Sequence, residues 1–342
     1  MWPDMAARRY PRAWQDNRLV AKLLSPLGHG VAMLARWRYQ RAIAGRTAIV
    51  WPAAPVIVVG NISVGGTGKT PLTIWLVERA RALGYHPGVV LRGYGGRDNG
   101  PTAVAADSRP GQVGDEAVLI ARRTRAPVWV GKDRPAAAER LLGDGRVNMI
   151  FSDDGLQHYR LGRDVELAVV DARRGYGNQR CLPAGPLREP VERLATVDLV
   201  LANGGGLDGA TGRFDIKPAR LLPLDGDDDR PVPRPGQTVD ALAGIGDPAR
   251  FFGQLEALGV VVRRHPLPDH HDFSAADFQS MGDDPVIMTE KDAVKCQNLA
   301  PANAWYLPVA AEPDAATTAH CDALLHEAVR RFEQRSRPGR AP

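Results

Sequence analysis

Cysteine is scarce and scattered. The three present, Cys181, Cys296 and Cys321, form no C-x-x-C pair, which argues against a disulfide framework or a zinc site and suits a reducing cytosol. Long hydrophobic runs are missing too: no stretch approaches the roughly 18 apolar residues of a spanning helix. Near the N-terminus there is neither the continuous apolar core nor the small-residue cleavage site of a secretory signal. No internal repeat occurs, which sets aside repeat architectures. Most of the chain also lacks an excess of charge of one sign. The net charge is +5, yet residues 1–46 carry nine Lys or Arg against two Asp or Glu, while the remainder has 35 against 37. All the net basicity sits at one end. No nucleic-acid partner is expected.

What is present is the composition of a soluble globular protein, 44% hydrophobic and 24% charged over 342 residues, with room for two domains. One stretch organises the rest: V-I-V-V-G-N-I-S-V-G-G-T-G-K-T-P-L-T, residues 56–73. Its β-branched start reads as a buried strand, and Pro71 suits the first turn of a helix, where its missing N–H costs nothing. The glycines between let backbone N–H groups wrap a polyphosphate at the helix start. Lys69 is placed to reach the terminal phosphates and the Thr70 hydroxyl to bind Mg2+. The nucleotide cradle is therefore expected over Ser63, Val64, Gly65, Gly66, Thr67, Gly68, Lys69 and Thr70, although the general motif wants glycine where Ser63 stands.

Around this stretch the periodicity divides the chain into four parts. Residues 1–46 read as basic amphipathic helices, broken near Pro26 and Gly28, with Trp2, Trp14 and Trp37 as aromatic anchors. They fit a membrane-surface segment or a helical hairpin capping the core, and the segment alone leaves both open. Residues 47–220 alternate strands (56–59, 89–91, 127–130, 147–151, 166–170, 197–202) with helices (72–83, 117–123, 136–142), the pattern of a doubly wound, mostly parallel sheet. Residues 221–237, rich in Pro and Asp, read as a linker. Residues 238–342 form a smaller α/β segment with a last helix at about 317–334 and a disordered basic tail. The fold class is thus α/β, of the P-loop NTPase type.

A phosphate loop needs an acidic partner on a neighbouring strand, and Asp153-Asp154 after strand 147–151 supplies it. By spacing, Asp115 reads as a helix cap. Asp269-His270-His271-Asp272 can hold a metal or give an imidazole a carboxylate that fixes its tautomer; with no third ligand cluster nearby, acid–base work is the reading taken. In Thr289-Glu290-Lys291-Asp292 the lysine falls one place late for a guanine-reading N-K-x-D loop, and Val64 stands where partition-type ATPases carry a second lysine.

Together these segments resemble the tetraacyldisaccharide 4'-kinases of Gram-negative bacteria. The matching stretches are 59–71, L-R-G-Y-G at 91–95, G-D-E at 114–116, D-D-G-L-Q-H at 153–158, G-N at 177–178, L-P-A-G-P-L-R-E-P at 182–190, P-D-H-H-D-F at 268–273 and T-E-K-D-A-V-K at 289–295. Ser63 is ordinary for that family. The resemblance implies an enzyme peripheral to the cytoplasmic face of the inner membrane. It would transfer the γ-phosphate of ATP, with Mg2+, to the 4'-hydroxyl of a tetraacyldisaccharide 1-phosphate, giving lipid IVA, with no obligate protein partner. It assigns Asp115 as base paired with His270, replacing the cap reading. Lys69 and Arg188 would act on the transferring phosphoryl, with Thr70, Asp153, Asp154 and Glu189 as metal ligands and His158 lining the phosphate site. On the residues alone, a slow NTP-hydrolysing switch or metallochaperone, or a membrane-docking protein with a structural nucleotide, stays open.

Overall fold

β1 (Val56–Gly60) is buried along its whole length, and each of its branched side chains contributes about 1.5–3 kcal/mol by leaving water. It lies between β5 (Met149–Asp153) and β6 (Val165–Asp171), parallel to both. Beyond β5 come β2 (Pro87–Leu91), β4 (Val128–Val130) and, antiparallel, β3 (Thr102–Val104). Beyond β6 come β7 (Leu199–Asn203), β8 (Gly212–Pro218) and, antiparallel, β14 (Val309–Pro313), completing nine strands. The computed structural model describes residues 18–337 except 99, 144 and 280, so Trp2, Trp14 and the far C-terminal tail lie outside the described residues.

Helices cover both faces of this sheet, as a parallel sheet requires. On one, α3 (Lys69–Ala82), α5 (Asp115–Thr124, just after the short α4, Pro110–Val113) and α9 (Ala315–Ser336) bring Leu72, Leu76, Val118, Ile120, Leu325 and Ala328 into one apolar cluster with β1 and β5. On the other, α6 (Arg134–Leu142) packs Ala137, Ala138 and Leu141 over Val58, Val90 and Ile150. A second sheet of five strands runs β11 (Val261–Pro266), β10 (Thr238–Ala243), β12 (Val286–Thr289), β13 (Ala304–Leu307) and β9 (Leu222–Pro223), with only β9 antiparallel. It packs on α7 (Pro248–Ala257), and α8 (Glu290–Cys296) follows β12.

Three parts lie differently from the sequence reading. β14 and α9 do not stay with the smaller unit: they return to the first sheet, where β14 pairs with β8 and α9 buries Thr317, Cys321, Leu325 and Ala328. These strands escape notice because most of their positions are partly or fully exposed: β14 is the edge strand, and β8 beside it offers only Phe214 and Ile216 as apolar residues, too short a pattern to stand out. Within the expected linker, Leu222–Pro223 pairs with Trp305 and Tyr306. At the N-terminus the break falls at Leu24, between α1 (Arg18–Leu23) and α2 (Ser25–Ile43). Pro26 sits in the first turn of α2, and Gly28 lets the helix touch the core, since a side chain there would meet the Cys181 carbonyl at 2.8 Å.

Candidate active site

The phosphate loop lies at the carboxyl ends of parallel strands, where open α/β sheets gather ligands. β1 runs into it, with Val59 opposite Asp153 at the end of β5. Gly65 and Gly68 have φ of 93° and 95°, conformations closed to most other residues. Thr67 is buried and held from two sides: its hydroxyl accepts from Asn61 Nδ2 at 3.2 Å and its carbonyl from Asn203 Nδ2 at 2.9 Å. The Arg174 guanidinium donates to the Gly66 carbonyl and reaches back toward Asp171 at the end of β6. Ser63 forms an antiparallel bridge with Leu187, and the Val64 amide donates to the Pro186 carbonyl at 2.9 Å, which ties the loop to the 182–190 segment. Gly65 and Gly66 are the exposed part of the cradle.

Lys69 and Thr70 open α3 and turn to the two aspartates. Thr70 Oγ1 donates to Asp153 Oδ2 at 3.3 Å, and Thr73 Oγ1 to Asp153 Oδ1 at 3.1 Å. Burial, with Glu116 and Asp154 nearby, pushes Asp153 up to about 7, despite Lys69. Asp154 behaves oppositely. Burial raises it, but Lys69 at 3.4 Å and Arg188, whose Nη1 lies 3.0 Å from both oxygens, hold it far below the usual carboxylate range. Asp154 also adopts a left-handed backbone, φ 49°, with its carbonyl held by the buried Arg134 at 3.1 Å. His158 is pushed down to about 4, first by burial and then by Arg134 and Arg163, so it is neutral at physiological pH.

Hard oxygens on Thr70 and Asp153 fit Mg2+, which takes one or two carboxylates and keeps water and phosphate oxygens for the rest. Among the described residues no cluster of three or more His, Cys, Asp or Glu forms a cage. Glu189, expected as a fourth ligand, is engaged elsewhere. Its oxygens accept from the Tyr159 hydroxyl and from Gln157 Nε2 at 3.1 Å, with Arg193 at 3.9 Å, so its charge is compensated inside that buried cluster.

Asp115 and His270 meet across the two sheets. Gly114, φ 94°, precedes α5, and a side chain on it would meet the Tyr94 carbonyl at 2.6 Å; the L-R-G-Y-G turn thus packs directly under Asp115. Asp115 is the first residue of α5 rather than its cap, and its Oδ1 accepts from the Glu116 amide at 2.9 Å. Its Oδ2 lies 3.1 Å from His270 Nδ1. Lys291 and Lys295, both on α8, stand 4.0 and 3.8 Å from the same oxygen. Burial alone would raise this carboxyl, but the His270 hydrogen bond and the two lysines hold it at about 2. For His270, burial and Lys291 work against the imidazolium, Asp115 works for it, and the net direction is upward. His271 turns away to Asp277 at 2.9 Å. A cavity of about 180 Å³ opens here between Tyr94, Pro110, Asp115, His270, Phe273 and Lys295.

The comparisons with known proteins agree with one another. The family model described as Tetraacyldisaccharide-1-P 4'-kinase matches residues 20–329. A tetraacyldisaccharide 4'-kinase from Alkalilimnicola ehrlichii is 51% identical over 93% of this chain and 95% of its own. One from Halorhodospira halophila is 49% identical over 92% and 96%. The chain belongs to the tetraacyldisaccharide 4'-kinase family. Among solved structures, LpxK from Aquifex aeolicus in complex with ATP superposes with a TM-score of 0.75 at 25% identity, covering 91% of this chain and all of that one.

In this kinase several residues around the site escaped the sequence reading. Asn61 and Asn203 grip Thr67; Asn61 lies inside the 59–71 stretch but nothing local names its partner, and Asn203, at the end of β7, has no motif around it. Arg134 is buried under the Asp154 carbonyl. Lys291 and Lys295 were readable in principle, since spacing of four puts them on one face of a helix. Their target, Asp115, lies on another sheet's helix and no local pattern points to it.

Proposed function

We propose that this kinase transfers the γ-phosphate of ATP to the 4'-hydroxyl of a tetraacylated glucosamine disaccharide 1-phosphate, with Asp115 as the base. The single observation that carries the roles is the Asp115–His270 contact at 3.1 Å beside a cavity next to the phosphate-loop sheet. Asp115 is ionised and can accept the hydroxyl proton; His270 orients it. As that proton moves to Asp115, the 4'-oxygen bonds to the γ-phosphorus, the bond to the β–γ bridging oxygen breaks, and ADP leaves with the electron pair. Lys69 and Arg188, both bound to Asp154, are the cations poised to shift onto phosphate oxygens. Thr70 and Asp153, with Asp154 adjoining, would hold Mg2+, which neutralises charge on the phosphates.

A second sheet that folds over the phosphate loop supports the same reading. A side chain on Gly246 would come within 3.8 Å of the Gly66 amide, so the second unit reaches the cradle itself. The N-terminal helices suit a lipid acceptor. Leu27, Leu34 and Trp37 of α2 recur at helical spacing and are 55–56% exposed, and Leu19, Leu23 and Met33 are more exposed still. No helix among the described residues is long and apolar enough to cross a membrane, so these side chains would lie in the interfacial plane. The face would be the cytoplasmic one, where ATP is. Transfer of labelled γ-phosphate from ATP to the disaccharide lipid in mixed micelles tests the proposal. Label released only as inorganic phosphate, regardless of lipid, would refute it.

A further inference from the structure

The ammonium of Lys291 is enclosed by charged groups from every element that packs on it. From α5 come Glu116 Oε1 at 3.3 Å and Asp115 Oδ2 at 4.0 Å. From the loop after β11 come Asp269 Oδ1 at 4.0 Å and His270 Nε2 at 3.4 Å. Lys295 shares its helix and faces Asp115. Three carboxylates around one amine keep it charged despite burial.

These contacts constrain the imidazole. An ionised carboxylate only accepts, so His270 Nδ1 must carry the proton it gives to Asp115. A lysine ammonium only donates, so Nε2, facing Lys291, must present its lone pair. Asp269 Oδ1, 3.9 Å from Nε2, pulls toward a second proton, but the ammonium is nearer. In water the neutral imidazole has no such constraint and titrates near 6.5.

We propose that Lys291 is a positioning residue for phosphoryl transfer: it sets the neutral ring of His270 as the Nδ1–H tautomer, which donates to Asp115, and it opposes the second proton that Asp115 and Asp269 draw to the ring. The assignment rests on the reading of Asp115 as base. Under it the proton taken from the sugar stays on Asp115 until product leaves. Lys291 also joins the two sheets, since Glu116 and Asp115 belong to one and His270 and Lys291 to the other.

Long-range nitrogen–proton NMR of histidine-labelled protein tests this directly, with the His270 signals identified by their loss in His270→Gln. Once wild type has titrated to the neutral ring, the proton should sit on Nδ1. Lys291→Met should take up the second proton at a higher pH than wild type does, and Lys291→Arg should restore the wild-type titration. Lys291→Met should also lower kcat by about 10- to 100-fold with little change in the KM for ATP, short of the roughly 10²–10⁴-fold expected for losing a base outright. Glu116→Gln controls for a bridge between sheets and nothing more: it weakens the bridge but leaves Lys291 on His270, so it should not raise the titration of the ring. A neutral wild-type ring protonated at Nε2, or a titration unmoved by Lys291→Met, overturns the proposal. The NMR result needs no turnover, so it is independent of whether Asp115 proves to be the base.

Discussion

His270 Nδ1 lies 3.1 Å from Asp115 Oδ2, although 155 residues separate them in the chain. The contact exists because α8 docks on α5. Arg123 Nη1 reaches Glu290 at 2.8 Å, Arg122 reaches Gln297 at 3.0 Å and Lys291 reaches Glu116 at 3.3 Å. His270 pays a local cost for its place. Its φ of 58° is left-handed, a strain of order 1–3 kcal/mol for a residue with a side chain. The loop is held there by the His270 amide on the Gly244 carbonyl at 3.1 Å and by Lys295 on the His271 carbonyl at 3.1 Å.

Asp115 and His270 should therefore act as a unit. Asp115→Ala is expected to lower kcat by about 10²–10⁴-fold with little change in ATP affinity, and His270→Ala by less. The double variant should be little worse than Asp115→Ala alone, because the histidine works through the carboxylate. Steady-state kinetics of the three proteins decide it. Losses that simply multiply would mean independent roles.

Lys69→Ala and Thr70→Ala should each cut turnover by orders of magnitude in a protein that still folds, since the loss is one of electrostatics at the transferring phosphoryl. Lys69 leaves Asp154 with Arg188 and Arg134 as partners, so circular dichroism and melting should change little. Near-normal transfer by either variant would remove the phosphate-loop assignment.

Acid should destabilise the fold through Asp115. Its carboxyl is held at about 2 in the folded protein, against about 3.9 in an unfolded chain. A depressed folded value means the unfolded state binds the proton first as pH drops, so the stabilisation is complete above about pH 4 and lost on the way down to about 2. Melting temperatures of wild type and Asp115→Asn across that window should converge at the acid end. A constant gap at all pH would contradict the ionised carboxylate.

For the N-terminal helices, deletion of residues 1–46 should move the protein off anionic vesicles in a sedimentation assay. High salt should do so only in part, because it screens the basic side chains but leaves the apolar stripe of Leu27, Leu34 and Trp37. A truncated protein that stays fully bound would place the anchor elsewhere.

The sequence alone determined the strand, glycine turn and lysine of the phosphate loop, the acidic doublet after β5 and the parallel alternation around them. Each is written in neighbouring residues, because strand burial, turn chemistry and helix starts are local. The ordered motifs also sufficed to name the family. Only the tertiary structure decided that β14 and α9 return to the first sheet, since edge strands half in water leave no periodic signal. It decided that Glu189 belongs with Tyr159, Gln157 and Arg193, because a carboxylate goes to whichever donors packing brings to it. It also chose His270 over His271 and set Lys291 against its other ring nitrogen, through the docking of α8 on α5. Adjacent residues in a loop look equivalent in sequence; a left-handed turn at His270 makes them face different partners.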